Sequence, residues 1–382
     1  MTSIRETLKQ LFTPKLPLEP GSYSFTAPPD ADPHYRLNLR LDEDGTGVLI
    51  VNAATILHLN QTAAEYAYHL IQQDSVEKTA AEVASRYRIN QRQASIDYQG
   101  FRERIMTLID TPDLDPITYL DFDRMRPFVN ARIPYRLDIA LTYQQPPEAP
   151  PEVAPHERVS EELNTQEWRQ VIDKAWQAGI PHLVFTGGEP VLRTDLIELL
   201  QLAEEHGMVT GLITTSLKLM DDEYMQQLLL TGLDHVMLVI DPEKESYWDL
   251  LTKILPLDLY TAVHLTITER TTDQFTGYLQ RLASLQPNAV SLSVTNPNLQ
   301  DRLEKAREEA ADLQLELVWE LPVPYMHLNP VTQEVGENRV LDGAGKAWLY
   351  VEPDGDVLPD QSINQVRGNI LTDSIQDLTR NR

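Results

Sequence analysis

Leu183-Val184-Phe185-Thr186-Gly187-Gly188-Glu189-Pro190 is the stretch whose reading decides the fold. A short apolar run ends in two glycines, an acid and a proline. The run reads as a buried parallel strand, since strands covered on both faces are apolar throughout rather than alternating. The glycines permit a sharp turn and a close approach to the backbone. Glu189 then falls at the carboxyl end of the strand, where ligands bind in α/β sheets. Pro190 stops the strand, and Leu192-Arg193-Thr194-Asp195 leads into an amphipathic helix from Leu196 to His206.

The same alternation continues on both sides. Upstream, a helix runs from Asn164 to Ala178 with Gly179 as its stop, and Asn164 with Glu167 forms a capping box. Downstream come Gly207, a strand Val209 to Thr214 followed by Thr215-Ser216, and Gly232-Leu233-Asp234-His235-Val236 entering Met237-Leu238-Val239-Ile240-Asp241. Further strands are expected at Ala262 to Thr268 and Val290 to Thr295. A first strand is expected at Tyr135-Arg136-Leu137-Asp138-Ile139-Ala140-Leu141-Thr142-Tyr143. About six strand–helix units imply an incomplete parallel barrel, with a doubly wound α/β sheet as the alternative.

From Tyr135 to Thr295 this order and spacing resembles the core of the radical S-adenosylmethionine enzymes. The resemblance implies that Gly187, Gly188, Glu189 and Pro190 form the turn that holds the amino group of the cofactor methionine. It places Thr215 and Ser216 where the family has Asn-Gly, and Asp241 where a ribose contact is expected. It also implies a four-iron cluster bound by Cys-x3-Cys-x2-Cys after the first strand. Anchored on Thr142 and Tyr143, those positions are Gln145, Ala149 and Glu152, and the chain has no cysteine. Such clusters take soft sulfur ligands, so no iron-sulfur cluster is expected. S-adenosylmethionine is expected to bind weakly, on the order of 0.1 mM or worse, or not at all.

The bounds of the chain are consistent with this. Its 382 residues suffice for two or three domains. Lys plus Arg 32 against Asp plus Glu 58 gives −26, which disfavours nucleic acid and anionic membrane as partners. No apolar run approaches the ~20 residues of a membrane span, and no secretory signal pattern stands at Met1; the expectation is a cytoplasmic protein.

Residues 1–30 read as an extension with a short helix from Ile4 to Phe12. From about His34, Leu37 to Leu41, Val48 to Val51 and Thr55-Ile56-Leu57-His58-Leu59 read as a three-strand meander. Asn60 or Thr62 caps a helix from Ala63 to Gln73. Two more helices follow, Val76 to Tyr87 and Gln91 to Ile109, the last with Ile96, Phe101, Ile105 and Leu108 on one face. Three strands then three helices over residues 31–112 resembles the peptide-recognition module of the PqqD type. The resemblance implies that a precursor's leader peptide adds as a strand beside Thr55, Ile56, Leu57, His58 and Leu59 and packs toward Phe101 and Ile105 of the third helix. The alternative is an ordinary small α+β domain, such as a winged helix for DNA, and the acidic balance argues against DNA.

Residues 113–134, punctuated by Pro116, Pro127 and Pro134, read as a linker, and residues 135–321 as the barrel. In residues 322–382, Glu352-Pro353-Asp354-Gly355-Asp356 makes a hairpin turn, then Val357-Leu358-Pro359-Asp360, Gly368-Asn369-Ile370 and a helix from Ser374 to Thr379. This segment resembles the SPASM or twitch extension that carries an auxiliary cluster in peptide-modifying members, with Asp360 in a cysteine slot.

Among the other candidates, His156 with Glu152 and Glu157 reads as a solvated loop rather than a metal site. His264 reads as a satisfied core histidine, His182 as lining the barrel mouth, and Trp168 and Trp176 as packing. The functional expectation is a non-catalytic partner that binds a precursor peptide and presents it to an active radical S-adenosylmethionine enzyme. The alternatives are a cluster-independent enzyme using the barrel pocket, or a cysteine-stripped variant of a peptide maturase.

Overall fold

The computed structural model describes residues 18–28, 31, 33, 35–52, 55–87, 89–111, 133–147, 149–318, 321–332 and 343–380. The helix expected between Ile4 and Phe12, and most of the linker, lie outside them. The chain divides into two compact units, Met1–Arg126 and Pro127–Arg382.

The first unit is an antiparallel sheet in the order β1 (Gly21–Thr26), β2 (Arg36–Leu41), β3 (Gly47–Val51), β4 (Thr55–Leu59). Three helices follow: α1 (Gln61–Ile71), α2 (Val76–Tyr87) and α3 (Gln91–Asp110). The meander therefore has one strand more than expected. Gly21–Thr26, read as part of an extension, pairs in register with β2 from Gly21↔Leu41 to Thr26↔Arg36. Asn60 caps α1 by accepting from the Ala63 amide at 3.0 Å. Leu37, Leu39, Leu49, Val51, Leu57 and Leu59 meet Ala67, Phe101 and Ile105 in one core. Ile96 is not on the buried face of α3 but 53% exposed; it lies five residues before Phe101, off the three-to-four spacing that returns a side chain to the same face.

The second unit is built on a nine-stranded sheet. Its parallel part runs β5 (Arg136–Thr142), β6 (His182–Gly187), β7 (Val209–Thr214), β8 (His235–Ile240), β9 (Tyr260–Ile267), β10 (Ala289–Val294), in sequence order. The helices between them are α4 (Thr165–Gln177), α5 (Leu196–Glu205), α6 (Asp222–Leu229), α7 (Glu245–Ile254) and α8 (Phe275–Leu285), with α9 (Gln300–Asp312) after β10. The expected capping box is present: Asn164 Oδ1 accepts from the Gln166 and Glu167 amides, and Glu167 accepts from the Asn164 amide. Alternate residues of each strand pack against the helices, as Leu137, Ile139 and Leu141 do on β5. The other set turns inward, where Val184, Ile213, Met237, Val239, Ala262 and Ala289 form a second apolar layer. This is a mixed α/β fold with an open parallel sheet; β10 and the last strands do not pair to close it.

The C-terminal segment extends this sheet. β11 (Trp348–Val351) lies parallel to β5, from Trp348↔Arg136 to Val351↔Ile139. β12 (Asp356–Leu358) and β13 (Gly368–Asn369) follow antiparallel, and α10 (Ile375–Thr379) is capped by Ser374.

Candidate functional site at the strand ends

The turn after β6 is fixed by steric need. Gly187 has φ +122°, a region that costs any residue with a Cβ, and a Cβ there would lie 2.4 Å from the Thr142 carbonyl oxygen. A Cβ on Gly188 would lie 2.4 Å from the Gln144 carbonyl oxygen. The two glycines let the turn press against the chain leaving β5, where the Gly188 amide donates to Thr142 O and the Glu189 amide to Gln144 O at 2.7 and 2.9 Å.

Glu189 is fully buried. Its Oε1 accepts from Thr214 Oγ1 (2.7 Å) and the Val191 amide (3.1 Å); its Oε2 accepts from the Thr215 amide and Thr215 Oγ1, both at 2.8 Å. Four donors fill the carboxylate. Burial pushes its pKa up, and the donors from Thr214, Thr215 and Val191 pull it back only in part. Glu189 thus ties the end of β6 to the end of β7. Pro190 opens the following turn, Pro190–Leu192. Ser216 caps the turn after β7, its Oγ accepting from the Lys218 amide at 3.1 Å.

Asp241 closes β8 and is buried. His327 Nε2 and Lys244 Nζ lie 3.4 and 3.3 Å from its Oδ2. The His327 contact, with Lys244, holds its carboxyl below the usual range. The structure places Gly187, Gly188, Glu189, Pro190, Thr215, Ser216 and Asp241 at one end of the sheet. Glu189, Thr215, Ser216 and Asp241 at that end are already engaged by the chain itself.

Gln145 is engaged as well. Its Nε2 donates to the Tyr325 carbonyl at 2.8 Å, and the Tyr325 amide donates to Gly187 O at 3.0 Å. Ala149 packs against a small core of Ala140, Tyr143, Tyr325 and Tyr350, and Glu152 is exposed. At the other slot, Asp360 accepts from Trp348 Nε1 at 2.8 Å and from Ser362 Oγ. An amide, a methyl group and a carboxylate do not fit a cluster that takes thiolates. The residues present do not suit the group. Among the described residues no group of three or more His, Asp or Glu is placed to hold a metal ion.

Two expectations are corrected. His182 is not at the mouth: it opens β6 at the amino end, buried, with Nε2 2.8 Å from His235 Nε2. Gly211 lies between them, and a Cβ there would lie 2.1 Å from His235 Cε1. Trp176 is 41% exposed and stacks on His206 at 4.7 Å between ring centres, whereas Trp168 is buried. His264 is buried as expected, with Nδ1 on Ser291 Oγ and Nε2 on Ser293 Oγ, both 2.9 Å.

In the first unit, Leu57, Leu59, Phe101 and Ile105 share the core, while Ile56 is 37% exposed and Thr55 and His58 are half-buried. Burial and Arg40 lower the His58 pKa. Among the described residues β4 pairs with β3 alone, so it is a sheet edge.

Residues 145–305 match the family model of the Radical SAM superfamily. Over that stretch, from β6 to β10, the chain is similar to the radical SAM superfamily. The chain is also similar to curated relatives named PqqA peptide cyclase. It is 42% identical to that of Granulibacter bethesdensis over 82 residues, 22% of each chain. It is 26% identical to that of Bradyrhizobium diazoefficiens over 277 residues, 62% of this chain and 69% of the relative. In the first of these the match spans about a fifth of the relative's length. Two solved structures of Streptococcus suis SuiB share the fold with TM-score 0.55 at 15% identity. The one bound to S-adenosylmethionine covers 93% of this chain and 87% of that chain, and the one bound to precursor peptide SuiA covers 89% and 86%.

Sequence reasoning missed the contribution of residues 321–329, which follow no helical or strand period. It also missed the His182–His235 pair, for which Gly211 inside a strand is the one available signal, because such a glycine marks a close approach.

Proposed function

We propose that this chain is a non-catalytic radical SAM-like protein of peptide modification: it binds the leader of a precursor peptide and presents it to an active enzyme. The peptide joins the edge of β4 as an added strand, with main-chain hydrogen bonds giving affinity and alternate side chains giving selectivity. The observation that carries the reading is that edge, with Ile56 exposed on it, in a chain whose cluster positions hold Gln145, Ala149 and Glu152. The names of its relatives, cyclases of a peptide, and a precursor peptide bound to a protein of the same fold support it. The charge of −26 favours a peptide with basic character.

Calorimetry with a synthetic leader from a short precursor encoded beside this chain tests the reading. We expect micromolar binding, weakened about tenfold, 1.4 kcal/mol, by Ile56→Lys. No leader binding, or binding indifferent to Ile56→Lys, rejects the site.

A further inference from the structure

The mouth of the open barrel is crossed by the chain itself. Residues 321–329 pass over the carboxyl ends of the strands and touch almost every wall. The Tyr325 amide donates to Gly187 O at the end of β6, and the Tyr325 carbonyl accepts from Gln145 beyond β5. His327 faces Asp241 at the end of β8. Asn329 Oδ1 accepts from Thr266 Oγ1 on β9 (2.9 Å) and Ser293 Oγ on β10 (3.2 Å). At the end of β7, Thr214 and Thr215 are committed to Glu189. Between these polar anchors Met326 is buried among Val184, Ile213, Met237, Val239, Ala262 and Ala289.

The geometry points to residues 321–329 as a strap that closes the mouth, so that a small molecule enters only if the strap is released. Two physical arguments carry this. A carbonyl or carboxylate at the mouth that accepts from the strap would lose that bond to any competing ligand, leaving buried groups unsatisfied. Met326 anchors the strap in the inner apolar layer, so lifting it exposes that layer to water. Strands that elsewhere present polar groups to a ligand at this end here have Gly187 O, Asp241, Thr266 and Ser293 in contact with the strap. This inference does not depend on peptide binding at β4.

The test follows the Tyr325 amide by hydrogen exchange, with S-adenosylmethionine as the probe. In the wild-type chain the Tyr325 amide is expected to exchange at least about a hundredfold more slowly than exposed loop amides, and the probe at about 1 mM to leave residues 187–189 unchanged. In the Gln145→Ala, Asn329→Ala double variant, protection at Tyr325 is expected to fall at least about tenfold while amides of β8 keep theirs, which also certifies the fold. If the probe binds at residues 187–189 and Tyr325 loses protection, release on entry is confirmed. A Tyr325 amide that exchanges like an exposed one, or a probe bound at 187–189 with Tyr325 protection intact, overturns the strap. Neither result bears on leader binding.

Discussion

Glu189 shows how one buried acid can be structural at a position whose setting suggests ligand chemistry. Its four donors leave no lone pair for an incoming ammonium. Glu189→Ala strips the acceptor from Thr214 and Thr215 and leaves a cavity, so we expect a loss of at least about 3 kcal/mol. Urea unfolding followed by tryptophan fluorescence measures it, since all five tryptophans lie beyond residue 127. His264 titrates in the opposite sense to Glu189. Burial depresses it to about 3, so between its ordinary value of ~6.5 and that value the unfolded chain holds a proton the folded chain does not. The stability it contributes is present above pH ~6.5 and lost as pH falls toward 3. Asp138, pushed up to about 6 by burial despite Arg136, opposes this within the same window, so the wild-type profile alone is not diagnostic. The difference between wild type and His264→Gln isolates the histidine. We expect it to shrink by about 1.4 kcal/mol per pH unit from pH 6 to pH 4; a pH-independent difference refutes the assignment.

At the level of elements, Glu189 ties β6 to β7 at the carboxyl end of the sheet, and the His182–His235 pair ties β6 to β8 at the amino end. Gly211→Ala puts a methyl group into the His235 ring. We expect it to cost about 1–3 kcal/mol by overpacking and to shift the imidazole signals of both histidines in NMR spectra; unshifted signals would mean the pair does not form. Most of these elements were readable because each obeys a local rule. Val209–Thr214 and Val76–Tyr87 fall where apolar pattern and caps put them. The turn at Gly187-Gly188 was readable because no side chain fits there. β1 was not readable: its inward residues are spaced like any loop rich in Ser and Tyr, and it is a strand because β2 offers it an edge. The strap was invisible for the same reason. Tyr325, Met326 and Asn329 acquire meaning only from Gly187, Thr266 and Ser293, which lie 36 to 138 residues earlier in the chain (329 − 293 and 325 − 187). The sequence therefore announced the groups that line the mouth but not what fills it.

For the whole molecule, the division into Met1–Arg126 and Pro127–Arg382 predicts independent folding. The core of the first unit is drawn from its own strands and helices. A fragment spanning residues 1–126 is expected to give a cooperative thermal transition by circular dichroism and to bind the leader with the affinity of the full chain. A fragment that folds yet binds at least about tenfold more weakly, 1.4 kcal/mol, would assign part of the peptide site to the second unit. The pairing of β11 with β5 sets a constraint of another kind. β5 spans residues 136–142 and its neighbour spans 348–351, so about 200 residues separate them. At the ~5–20 residues per second of synthesis, the ribosome needs about 10–40 s to deliver the partner. For that interval the first barrel strand has one side unpaired, with its backbone donors and acceptors open to other chains. The growing chain is thus most prone to misassociate between the synthesis of residue 142 and that of residue 348, and its yield should respond to elongation rate and to chaperones that shield strand edges more than to any change in the finished core.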